Sequence, residues 1–182
     1  SNHHKRQPGF ISKIHRIILF FSDKAKQTFS NYEIFRIFRK NKLLLVFLFE
    51  NKIITVNEPI VYYLIEKNGP QNSNFFYPEI KPFLNKEGKR GKITLTVNPK
   101  VFEDDYEKNR LEGENESYIC QLIRNDSIDD FIQYVNDQKI NLSSSILTSL
   151  FETNPYILKN KIVLIEYAAF FGSFKIFKYL FD

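Results

Sequence analysis

Ile11, Ile14, Ile18, Phe21 and Ala25 recur at steps of three and four, with Lys13, Arg16, Asp23 and Lys24 off that stripe. The spacing predicts one amphipathic helix over 10–29, whose apolar side needs a partner. In "SNYE", Ser30 is placed to cap a second helix while Glu33 reaches back to the cap amide. Ile34, Phe35, Ile37 and Phe38 give that short helix its apolar side, and "RKNK" interrupts the pattern before Leu43 opens another apolar helix. "VNEP" repeats the start signal, with Asn57 as cap, Pro59 in the first turn, and Ile60, Val61, Leu64 and Ile65 on one face. "NGP", Asn68 to Pro70, ends it, because Gly69 can take the left-handed conformation and Pro70 cannot continue a helix. Residues 10–69 read as antiparallel helices packed through aromatic and aliphatic faces, after a disordered tail over 1–9.

The pattern then changes. "FFYPEIKPFL" holds two prolines, "NKEGKRGK" is basic and contains glycine, and "FEDDYEKNRLEGENE" is mostly acidic. This composition predicts a linker and surface loops over 70–115, with "KITLTV" alternating well enough for a short strand near Ile93 to Val97. From Tyr118 the helical period returns. Ile119, Leu122 and Ile123 lie on one short helix, and Ile128, Phe131, Ile132 and Val135 on a second, with Ser127 and Asp130 spaced as a capping box. The end of the chain, "LIEYAAFFGSFKIFKYLF", does the same. Aligning Ile119 with Ile165 gives an offset of 46 residues (165 − 119), which also brings Leu122 onto Ala168, Ser127 onto Ser173 and Phe131 onto Phe177.

These residues resemble an ankyrin repeat. Ile165 stands at the leucine of the ankyrin pattern, Ala168 at the alanine that lets helices approach, Gly172 at the turn, and Ile176, Phe177, Leu180 and Phe181 on the second helix. Val163, Leu164 and Glu166 replace its threonine, proline and histidine, and Asp126 stands where the earlier copy would carry glycine. The offset exceeds the roughly 33 residues of an ankyrin unit, and the excess lies in Leu142 to Asn160, expected to add a helical turn. With "NYEIFRIFRKNKLLLVFLFENKIIT" and "FFYPEIKPF", the chain is similar to expanded ankyrin-repeat proteins of protist parasites that carry a helical region before the array. The resemblance implies an all-α fold in which antiparallel helical hairpins lead into an ankyrin-like α-solenoid over 116–182. It further implies a non-catalytic protein-binding scaffold. Asp137, Gln138 and Lys139 sit where ankyrin repeats project a hairpin finger and become the expected contact residues.

Composition limits the alternatives. With 43% hydrophobic and 26% charged residues the chain is expected to fold. It carries no Met and stops inside an apolar helical pattern, so a fragment at both termini is expected, its array truncated at the C-terminus with more repeats following. A single repeat cannot bury its own apolar face, and about three are needed for stability. A single cysteine, Cys120, among Ile119, Leu122 and Ile123, reads as a small buried side chain in an intracellular, cytoplasmic protein. The apolar run Leu43 to Phe49 is far shorter than the roughly 20 residues a membrane helix needs, so no membrane partner is expected.

A net charge of +5 is mild, and the alternative function is a nucleic-acid-binding accessory domain acting through the basic loop 86–100, with Lys86, Lys89, Arg90 and Lys92 as phosphate contacts. That reading is not preferred, because the acidic stretch from Glu103 to Glu116 would oppose a polyanion. Catalysis is not expected either. His3, His4 and His15 have no cysteine or acidic partner at metal-ligand spacing, Gly88 and Gly91 form no phosphate-loop fingerprint, and Glu103, Asp104 and Asp105 read as a solvated acidic run. No cofactor and no metal are expected.

Overall fold

In a computed structural model of the chain, residues 8–67, 73–89 and 91–182 are described, with side chains from Ser12 onward. The expected stop at Asn68 to Pro70, together with Arg90, His3 and His4, lies outside the described residues. The fold is predominantly helical and divides into two compact units, Gly9–Glu112 and Gly113–Asp182.

In the first unit, α1 (Pro8–Thr28), α2 (Asn31–Phe38), α3 (Lys42–Glu50) and α4 (Glu58–Glu66) follow the apolar stripes. Pro8 and Gly9, expected in the tail, belong to the first turn of α1. Ser30 and Glu33 form the expected capping box, and Asn57 caps α4 through its side chain. Each such cap satisfies a helix-end amide and contributes about 1 kcal/mol. Asn41 does the same for α3, accepting from the Leu44 amide at 3.0 Å, so "RKNK" both ends α2 and starts α3. The Asn31 side chain clamps the start of α2 to the segment before α4, donating to the Thr55 carbonyl at 2.7 Å and accepting from its amide at 2.8 Å. α2 packs against both α3 and α4 and buries Ile34 and Phe35, while Leu45, Val46 and Leu48 of α3 and Ile60, Val61 and Leu64 of α4 are buried as well.

The stretch expected as linker and surface loops contributes to the core of this unit instead. Phe75, Phe76, Ile80, Ile93, Val101 and Tyr106 are all buried, and the Phe76 ring meets Phe49 of α3 edge-on at 6.3 Å. The two prolines initiate helical turns rather than breaking structure, Pro78 in α5 (Tyr77–Ile80) and Pro82 in the 3-10 turn Lys81–Phe83, because a ring without an amide proton fits the first turn of a helix. α6 (Tyr106–Glu112) closes the unit.

The strand expected near Ile93 to Val97 is not formed there. Among the described residues the sheet is a two-residue hairpin, β1 (Glu87–Gly88) with β2 (Gly91–Lys92), antiparallel, pairing Glu87 with Lys92 and Gly88 with Gly91. Gly88 lies so close to Tyr62 that a Cβ would meet its hydroxyl at 2.5 Å, and Gly91 takes a φ of 97° that disfavours other residues. Beyond Ile93 the chain finds a side chain in place of a partner strand. Asn74 donates to the Thr96 carbonyl and accepts from the Asn98 amide, both at 2.8 Å.

In the second unit, α7 (Tyr118–Asn125) and α8 (Ile128–Asp137) form one helical hairpin, and α10 (Leu164–Phe171) and α11 (Phe174–Phe181) form another. α9 (Pro155–Lys159) is the helical turn expected in the insertion. α7 packs on α10 and α8 on α11, around a core containing Cys120, Ile123, Phe131, Val135, Tyr167, Ala168 and Ile176. Ile176 is fully buried there.

The repeat extends to individual hydrogen bonds. The amides of Asp126 and Ser127 donate to Ile123 and Leu122, those of Gly172 and Ser173 donate to Ala169 and Ala168, and each donor and acceptor pair recurs at the same offset. Asp126 and Gly172 both occupy the left-handed region, with φ of 52° and 68°.

Candidate functional site

The polar chemistry of the second unit gathers where its two hairpins meet. Arg124, in the last turn of α7, donates through Nη1 to the Asn115 carbonyl at 2.7 Å and to the Tyr167 hydroxyl of α10 at 2.9 Å, while its Nε sits 2.8 Å from the Glu114 carboxylate. Its guanidinium also lies over the Phe171 ring. Burial first, and then the neighbouring Cys120, push the Tyr167 phenol well above its ordinary value, so it is a neutral donor and acceptor. Burial likewise raises the Cys120 thiol, which is fully enclosed. A protonated, inaccessible thiol is no nucleophile.

Asp126 adds the connection that the ankyrin pattern would not foresee. Its carboxylate accepts from the amides of Lys175 and Ile176 at 3.2 and 3.0 Å, capping α11 from the neighbouring hairpin, and the Ser173 hydroxyl donates back to the Ile123 carbonyl at 2.5 Å. A glycine could make the turn at 126 but not the cap. Ser127 makes no side-chain cap at α8, so the expected capping box with Asp130 is absent. At α10 the Glu166 carboxylate accepts from the Val163 amide at 3.0 Å.

Asp137, Gln138 and Lys139 are exposed, but they form a tight helix end rather than a projecting hairpin finger. The Ile140 amide donates to Val135, Lys139 to Asn136 and Gln138 to Tyr134, and Lys139 takes the left-handed conformation at φ 51° to close this turn. Tyr134, one turn earlier, meets Tyr118 edge-on at 5.0 Å, and Tyr118 is itself about half exposed. Tyr118 was legible only as the start of a helical period, because nothing in its own neighbourhood distinguishes an exposed tyrosine from a buried one.

The other polar groupings serve the fold or face solvent. Arg110 is buried beneath the Phe75 ring, paired with Glu79 through Nη2 and with Glu107 at 3.2 Å. Burial raises the Glu79 carboxyl more than Arg110 lowers it. The Tyr106 hydroxyl, its pKa raised chiefly by burial, lies 2.9 Å from the carbonyls of both Asn74 and Phe75. These groups tie α6 to residues 73–80 and have no open face for a substrate.

Lys86, Lys89 and Lys92 are exposed on or beside the small β-hairpin. Glu87 stands across from Lys92, and the Glu58 carboxylate accepts from the Lys89 amide, so acids flank the basic group. Glu103, Asp104 and Asp105 are exposed. His15 stacks on Phe47 with ring centroids 3.8 Å apart. Among the described residues no group of histidine, cysteine and acidic side chains could hold a metal ion, and no helix is long and apolar enough to cross a membrane. No family model, curated protein or solved structure matches the chain.

Proposed function

We propose that residues 116–182 form two ankyrin-like hairpins of an α-solenoid and act as a non-catalytic protein-binding module in an intracellular, cytoplasmic setting. The observation that carries the reading is the pairing of the two hairpins, α7 on α10 and α8 on α11 around one core, with Asp126 of one hairpin capping a helix of the next. Repeats that stack in this way bury a continuous core and leave turn residues and outer side chains for contacts. Asp137, Gln138 and Lys139, with Tyr118 and Tyr134 beside them, are the contacts assigned to a protein partner.

Lys139 makes the assignment testable. Lys139→Gly removes the side chain while relieving its left-handed backbone, so the fold keeps or gains stability. A photo-reactive amino acid at Gln138 identifies the partner, and titration of the purified partner against wild type, Lys139→Gly and Tyr118→Ala measures the contacts. The expected result is a several-fold weaker Kd for both variants, with unfolding unchanged or later for Lys139→Gly. Equal affinities would overturn the assignment of this surface.

The exposed lysines of the β-hairpin support a second reading, nucleic-acid binding through 86–100. Four phosphate contacts, Arg90 included, would give log affinity against log salt a slope of about −3.6 on a duplex. Duplex titration at two salt concentrations decides it, and no measurable binding is expected.

A further inference from the structure

Helix α1 has two apolar faces, and the fold uses one. Ile14, His15, Ile18, Ser22 and Ala25 are half-buried against the rest of their unit, and none of the described α1 side chains is fully buried. On another side of the same helix, Ile17 is 58% exposed, Phe20 81% and Phe21 55%. Lys13, Arg16 and Lys24 are exposed and follow the same steps of three and four, so cations and apolar side chains interleave along one stripe: Lys13, Arg16, Ile17, Phe20, Phe21, Lys24. Asp23 is the one acid in the helix. Its 21 residues span about 30 Å at the rise of an α-helix.

We propose that this stripe docks α1 on an anionic lipid surface, with the helix lying in the surface plane. The reason is the interleaving. A protein groove that accepts an amphipathic helix offers an apolar floor and places its charges at the rim, whereas Phe20 here has cations on both sides of it along the helix. The boundary between headgroups and acyl chains offers hydrocarbon and phosphate oxygens at nearly the same depth. There Phe20, Ile17 and Phe21 enter the apolar layer while Lys13, Arg16 and Lys24 extend their stems to the phosphates. The expectation of no membrane partner rests on the lack of a spanning segment, and a surface-lying helix requires none.

The chain contains no tryptophan, so Phe20→Trp introduces a single indole at the most exposed point of the stripe. With phosphatidylcholine vesicles containing phosphatidylserine, its emission should shift to shorter wavelength, and with phosphatidylcholine alone it should not. Phe174→Trp, which is 72% exposed in α11, serves as the control and should not shift with either vesicle. In vesicle sedimentation, Lys13→Gln, Arg16→Gln and Lys24→Gln should each weaken binding roughly fivefold, and Ile17→Ser with Phe20→Ser should abolish it. All these side chains are exposed, so thermal unfolding should stay unchanged. No shift for Phe20→Trp, an equal shift for Phe174→Trp, or binding indifferent to the three charges would each overturn the proposal.

Discussion

Asp126 shows how one residue can serve two elements. It holds a left-handed turn that would suit glycine, and its carboxylate meets two amides of α11 near the positive end of that helix. Asp126→Gly should therefore ease the backbone yet lose the cap, for a net loss of about 1 kcal/mol in chemical denaturation. Asp126→Asn, which keeps the turn and one of the two acceptor oxygens, should lose less than Asp126→Gly.

His15 is a second case. Burial against Phe47 lowers its pKa below the ordinary 6.5, and Glu50 only partly offsets this. A histidine whose folded pKa is depressed binds its proton more readily when unfolded, so its contribution is present above pH 6.5 and is lost as pH falls below that value. His15→Phe keeps a ring against Phe47 and removes the titration. The stability difference between wild type and His15→Phe should thus grow as pH is lowered from 7 towards 5.

At the scale of elements, starts were easier to see than stops. Ser30 with Glu33, and Asn57 with Pro59, are side-chain signals that act within one turn and need no distant partner. The stops of α3, α7, α8 and α10 share one geometry, in which a residue one or two places past the helix is left-handed and the next amide reaches back into the last turn. The first three use Lys52, Asp126 and Lys139, and only α10 uses glycine, at Gly172. A search for glycine finds only the last. Lys52→Gly should stabilise the chain by roughly 1 kcal/mol, the scale of the left-handed penalty, as read from its thermal or denaturant midpoint.

Elements also depend on pairs far apart in sequence. Arg110 of α6 pairs with Glu79 of α5, and Arg110→Ala would leave a buried carboxylate unpaired. The expected loss is about 3–5 kcal/mol, smaller when Glu79→Gln is combined with it.

For the whole molecule, circular dichroism should be dominated by helix with little strand contribution, since the described sheet amounts to two residues on each side. The helical period over 10–67 and 118–181, most helix starts and the 46-residue repeat were determined by sequence alone, because periodicity, caps and turn chemistry act over a few residues. The role of 73–112 was decided only by tertiary structure. Prolines, glycines and charges make that stretch read as loop, yet Phe75 and Phe76 are buried there, Phe76 against α3, a contact that composition cannot express. The hairpin junction was decided in the same way. Asp126 reads as a defect in a repeat until the amides of α11, 49 and 50 residues away, come within reach of its carboxylate.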